Sequence, residues 1–184
     1  MKQHLISLVL FFSFLLSGCM PLKQTEVTSP NGHIRLAFAL DGNNRMTYQV
    51  SVGDTVCITS SLLGFTAKDG VNLAEGFKVI NTDFTTHDET WTQPWGENKN
   101  IRNHYNEMAV HLSDTTNTKL TLRFRIFDDG LGFRYEYEVP GADSILVTDE
   151  LTAFNIAQDG TSWSIPSCML KKLFLETGLK LNNH

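Results

Sequence analysis

The sequence predicts an all-β domain of antiparallel sheet, and three observations carry that expectation. Apolar and polar residues alternate over short stretches, and clusters of Gly, Asn, Asp and Pro separate them. No helical stripe of about ten residues occurs before Pro166. About eight strands spaced in this way favour a sandwich or barrel. The 184 residues, 41% apolar and 19% charged, suit one domain with appendages and are too apolar for a disordered chain. Fifteen Lys+Arg against 20 Asp+Glu leave a net charge of −5, the wrong sign for holding a phosphate backbone. A complete (β/α)₈ barrel, which takes roughly 250 residues, does not fit.

The first element is a leader. Lys2 and His4 precede an apolar run from Leu5 to Leu16, closed by Ser17-Gly18-Cys19. A basic start and about a dozen apolar residues describe a secretory signal peptide, too short for a permanent membrane span. Leu16-Ser17-Gly18-Cys19 resembles the lipobox of bacterial lipoproteins, so residues 1–18 are expected to be removed and Cys19 to carry lipid. Removal takes away Lys2 and leaves a net charge of about −6. The implied location is the bacterial cell envelope, lipid-anchored and periplasmic, with plain secretion as the alternative. Residues 19–30 then read as a tether.

Strands follow. After the turn Ser29-Pro30-Asn31-Gly32, Ile34, Leu36, Phe38 and Leu40 share one face; after Asp41-Gly42-Asn43-Asn44, Met46, Tyr48, Val50 and Val52 repeat the pattern. This is a hairpin with one wet face. Phe77, Val79, Asn81 and Asp83 begin a long polar strand toward Thr90. Met108, Val110 and Leu112 form another, and Leu120, Leu122, Phe124 and Ile126 the next. Beyond the turn at Asp128-Asp129-Gly130, Phe133, Tyr135, Tyr137 and Val139 run back. Arg123 and Arg125 on a wet face, with Glu136 and Glu138 on the neighbouring strand, predict cross-strand ion pairs. From Ser167 the alternation stops, and Leu170, Leu173 and Phe174 fall at helical spacing. Residues 167–184 are either a short C-terminal helix or a stretch outside the fold.

Little of the remaining chemistry is self-contained. Six His show no HxH or HExxH spacing and no CxxC occurs, so no metal site is expected. Cys57 and Cys168 carry no disulfide framework signal, and Cys57, between Val56 and Ile58, reads as a small buried hydrophobe. Asp128 and Asp129 fit a turn better than a glycosidase acid pair. The sequence lacks GxSxG, Walker and GxGxxG patterns.

The densest cluster is Trp91-Thr92-Gln93-Pro94-Trp95-Gly96-Glu97, then Ile101-Arg102-Asn103-His104-Tyr105-Asn106-Glu107. Its Pro and Gly mark a loop. Flat rings beside amides and carboxylates are what a sugar site needs, since a ring stacks on a pyranose face while polar groups bond its hydroxyls. The same residues also suit a plug at a domain interface. Trp91, Trp95, Glu97, Asn103 and Tyr105 are therefore candidates for a sugar-facing or domain-facing edge.

These two segments, with Ser29-Pro30-Asn31-Gly32, Phe127-Asp128-Asp129-Gly130-Leu131-Gly132-Phe133-Arg134-Tyr135-Glu136-Tyr137 and Trp163-Ser164-Ile165-Pro166, resemble the N-terminal domain of glycoside hydrolase family 97 over residues 25–166. The resemblance implies an antiparallel β-super-sandwich of the galactose-mutarotase-like kind. It also implies that such a domain supports a catalytic (β/α)₈ barrel acting on α-glucosides or α-galactosides. The family's acid and its base or nucleophile lie on that barrel, so no catalytic residue is expected here. A family calcium site draws mostly on barrel glutamates, with one more after the Trp163-Ser164-Ile165-Pro166 segment. The surroundings of Glu176 do not match, and no metal or cofactor role passes to this chain. The resemblance stops at Pro166, which leaves two readings of the tail: an interrupted coding sequence, or a short protein ending in a docking helix. The functional expectation is a supporting domain, inactive alone; the alternative is a stand-alone carbohydrate-binding lipoprotein.

Overall fold

The computed structural model describes residues 24–68, 71–141 and 144–161, and every regular element among them except one short 3₁₀ turn is β. Ten strands run in order: β1 Thr25–Thr28, β2 Ile34–Leu40, β3 Met46–Val52, β4 Thr55–Leu62, β5 Phe65–Ala67, β6 Lys78–Thr92, β7 Asn100–Ser113, β8 Lys119–Ile126, β9 Leu131–Glu138 and β10 Val147–Glu150. They form two four-stranded sheets, β1-β2-β3-β4 and β6-β7-β8-β9, and a two-stranded sheet of β10 and β5. All pairings are antiparallel.

The period-two alternation produces the core. Leu36, Phe38, Met46, Tyr48 and Val50 point from the first sheet, and Met108, Val110, Leu112, Leu120, Leu122 and Phe124 from the second, into one buried cluster. Rings bridge the two sheets: Phe38 lies 6.2 Å from Phe124, and Tyr48 5.7 Å from Phe133. Each large side chain removed from water here contributes roughly 1.5–3 kcal/mol. Residues 151–157 extend the first sheet past β4, with Ala153 N–H donating to the Leu62 carbonyl and Thr59 N–H to that of Asn155.

The turns form as their residues dictate. Ser29 Oγ accepts the Ile34 N–H at 2.9 Å and donates to Asn31, closing the β1–β2 connection. Asp41 Oδ1 accepts the Asn43 and Arg45 N–H groups at 2.9 Å, and Asn44 adopts φ 57° to complete the β2–β3 hairpin.

Four local expectations change. Thr25–Thr28, read as tether, pair with β2 as β1; four residues are too few for periodicity to show. Trp91, read as part of a loop, belongs to β6, and Ile101–Glu107, to which no element was assigned, belong to β7; the pairing runs to Thr92↔Asn100. Their polar composition hid strands that have little core to face. Cys57 is half-buried rather than buried: within β4 only Ser61 is fully buried, and Thr55–Ser60 is half-buried or exposed throughout. Glu138 pairs with Lys119 at 3.3 Å rather than with an arginine, because Lys119 is the residue directly across the sheet. The tail at 167–184, Cys19, Cys168 and the Trp163-Ser164-Ile165-Pro166 segment lie outside the described residues.

β6 is an edge strand with both faces largely open. A bulge between Val79 and Asn81 takes Ile80 out of the ladder, and from there the even-numbered positions point to the core side. Phe84 on that side is 56% exposed, although Met108 across from it is fully buried.

Candidate functional site

The β6–β7 hairpin decides where the candidate residues stand. Because Met108, Val110 and Leu112 face the core, the odd-numbered residues of β7 and their partners on β6 face outward. Trp91 is opposite Ile101, Glu89 opposite Asn103, and His87 opposite Tyr105, so Trp91, Asn103 and Tyr105 share the outer face of the second sheet. Trp95 and Glu97 stand apart from them in the connecting tip, both exposed. Gln93 holds this tip, its backbone N–H donating to the Lys99 carbonyl at 3.0 Å and its Nε2 to that of Asn98 at 2.9 Å. Gly96 adopts φ +131° directly over the Gln93 amide, where a Cβ would come within 2.4 Å.

The candidates differ in accessibility. Trp95 is 87% and Trp91 48% exposed, which leaves ring faces free to stack. Tyr105 is only 6% exposed. Its ring stacks on His87 at 5.1 Å, leans on Phe127 at 5.2 Å and lies 4.6 Å under the Arg125 guanidinium. Asn103 donates Nδ2–H to Glu89 Oε1 at 3.1 Å, which fixes the orientation of both groups.

Beyond Tyr105 the same face carries an ionic ladder. Glu107 accepts from Arg123 at 2.6 Å and from Arg125 at 2.7 Å, and Glu136 accepts from Arg123 at 2.8 and 2.9 Å and from Arg134 at 2.8 Å. Arg123 and Arg125 were legible as a two-residue repeat on a wet strand face. Glu107 was missed because the strand was read only from Met108 onward; the alternation of Met108, Val110 and Leu112, continued backward, places it outward. Burial pushes the Glu107 carboxyl up, but the bonds from Arg125 and Arg123 outweigh burial and hold it below the ordinary range. Hydrogen bonding from Arg123, then Arg134, pulls Glu136 down to about 2.

This gives a sign for acid sensitivity. A carboxylate depressed in the folded state stabilises fully above its unfolded value of about 4.5 and loses that contribution as pH falls toward its folded value. Equilibrium denaturation between pH 6 and pH 2.5 is expected to show stability falling below about pH 4.5, with a shallower fall in Glu136→Gln. Identical slopes in the two proteins would remove Glu136 from the account.

Asp128 and Asp129 occupy a turn closed by Phe127 N–H to the Gly130 carbonyl, and Asp128 Oδ1 accepts the Asn31 N–H at 2.9 Å, tying this turn to the β1–β2 connection. Among the described residues no three His, Cys, Asp or Glu side chains converge in one group.

Four comparisons bear on this arrangement. The family model described as glycosyl-hydrolase 97, N-terminal, matches residues 27–178. A retaining alpha-galactosidase of Bacteroides thetaiotaomicron is 25% identical over 144 residues, which is 78% of this chain and 20% of the enzyme. A glycoside hydrolase family 97 enzyme from a Pseudoalteromonas species, solved in complex with panose and separately with acarbose, superposes with a TM-score of 0.68 at 30% identity, covering 72% of this chain and 20% of that one. A beta-arabinopyranosidase structure gives a TM-score of 0.66 at 25% identity, covering 72% of this chain and 21% of its own. This chain thus spans about one fifth of the length of the relatives it matches.

Proposed function

Because the chain belongs to the glycosyl-hydrolase 97 N-terminal family, we propose that it is the carbohydrate-associated supporting domain of an α-glycosidase, acting beside a catalytic barrel and without hydrolytic activity alone. The observation that carries this reading is the outer face of the second sheet. Trp91, the Asn103–Glu89 pair and the Tyr105 stack present rings and amides along one strand pair, and Trp95 and Glu97 extend the row at the hairpin tip. A flat row of this kind lacks the enclosure by which sugar pockets cover most of a ligand's surface. It suits the rim of a pocket whose other wall a second domain supplies. The relatives solved with panose and acarbose support a carbohydrate as that pocket's occupant.

A second reading, a stand-alone carbohydrate-binding lipoprotein, draws on the exposure of Trp95 and Trp91. Calorimetric titration of the purified chain with malto-oligosaccharides separates the two. The supporting-domain reading expects no saturable heat. Saturable heat that disappears in both Trp91→Ala and Trp95→Ala would establish the second reading instead.

Attachment to the bacterial envelope through lipid on Cys19 is part of the same proposal. Two acyl chains or more give stable anchoring. Wild-type protein is expected in the membrane fraction and radiolabelled by palmitate, and Cys19→Ala is expected to lose the label. Labelling retained in that variant would place the lipid elsewhere or rule it out.

A further inference from the structure

Next to the Tyr105 stack, Arg123, Arg125 and Arg134 surround a depression of about 200 Å³ walled by Phe127 and floored by Gly132. Antiparallel register produces it: Arg125 stands directly across from Gly132, and Arg123 directly across from Arg134, so three guanidinium groups ring one position without a side chain. A Cβ at Gly132 would meet no atom within 4 Å, and its backbone is not in the left-handed region. The space is therefore open, and the glycine is not there for backbone reasons.

The donors do not balance the acceptors. All four carboxylate oxygens of Glu107 and Glu136 already accept from arginine. Arg123 spends Nε, Nη1 and Nη2 on them, and Arg134 spends Nε and Nη2. Arg125 spends only Nε, at 2.7 Å on Glu107, and among the described residues its two Nη groups have no acceptor. Three cations thus meet two anions. The Tyr105 ring beneath Arg125 fixes the guanidinium plane, so its fork is preorganised for a planar, doubly accepting group.

We propose that this depression binds a small carboxylate-bearing ligand of hexuronic acid size, its carboxylate on the Nη fork of Arg125 and its ring over Gly132 against Phe127. An aromatic wall beside a guanidinium fork recognises an apolar ring face and a carboxylate together. The choice of a sugar acid rests on the carbohydrate reading above; the anion fork rests on the geometry alone.

The test is amide and arginine side-chain NMR of the purified chain titrated with glucuronate, with glucose and acetate in parallel at constant ionic strength. Saturable shifts at Gly132 and at the Arg125 side chain are expected with glucuronate, with glucose inert and acetate at least about tenfold weaker. Arg125→Gln is expected to weaken glucuronate by about tenfold or more. Gly132→Val fills the depression while keeping every arginine, and is expected to abolish the shifts with the melting temperature maintained. The proposal is overturned if glucuronate gives no saturable shift, if glucose matches it, or if Gly132→Val binds as wild type does. Acetate binding as tightly as glucuronate would overturn the sugar acid, a result on which the malto-oligosaccharide titration does not depend.

Discussion

Gly64→Ala is expected to lower the melting temperature by about 10 °C or more, or to prevent folding. Gly64 sits between β4 and β5 with φ +127°, a conformation that side chains other than glycine's rarely adopt. A Cβ there would stand 2.6 Å from the Ala74 Cα and 2.8 Å from the Leu73 carbonyl oxygen, both backbone atoms with no rotamer to move to. The residue is also a junction: its N–H donates to the Tyr135 hydroxyl at 2.9 Å, and its carbonyl accepts the Leu151 N–H at 2.9 Å. Shifting it pulls on β9 and on the segment that extends the first sheet. Backbone strain of about 1–3 kcal/mol and overpacking of similar size add, against a total stability of about 5–15 kcal/mol. A calorimetric melt checks this. A melting temperature within a degree or two of wild type would mean the Gly64–Ala74 approach is not as tight as described.

How much of this was legible beforehand depended on burial. Strands that face the core on one side, such as β2, β3 and β8, declared themselves by alternation, since Leu36, Phe38, Leu122 and Phe124 must leave water while Arg35 and Arg123 must not. β6 was legible as a long polar strand toward Thr90, but its Thr-rich stretch has no apolar period and so did not show that it continues through Trp91 to Thr92. The ion pairs on β8 and β9 were visible as charges at two-residue spacing, but which carboxylate each arginine takes depends on register, and register follows from the whole sheet. Gly132 illustrates the limit. In sequence it is one more glycine near a turn; only the pairing of β8 with β9 shows that it faces Arg125 and leaves a gap among three guanidinium groups.

The second large effect concerns activity. A glycosidase needs two carboxyl groups flanking the scissile bond, about 5–9.5 Å apart, one of them raised so that it holds a proton near neutral pH. Among the described residues, the carboxyls displaced from their ordinary range are Asp41, Asp88, Glu89, Glu107, Asp114 and Glu136, and every one is displaced downward. Hydrogen bonds from arginines, backbone amides and neighbouring polar side chains keep them ionised, the opposite of a general acid. On the face that carries Trp91 and Asn103, Glu89 accepts from Asn103, and Glu107 and Glu136 accept from arginines.

The central claim, that this sandwich supports a sugar site without performing the cleavage, is tested most directly by incubating the purified chain with nitrophenyl α-glucoside, nitrophenyl α-galactoside and maltose. No release above the buffer rate is predicted with any of the three. Turnover that is abolished by substituting a single carboxylate of this chain would contradict it.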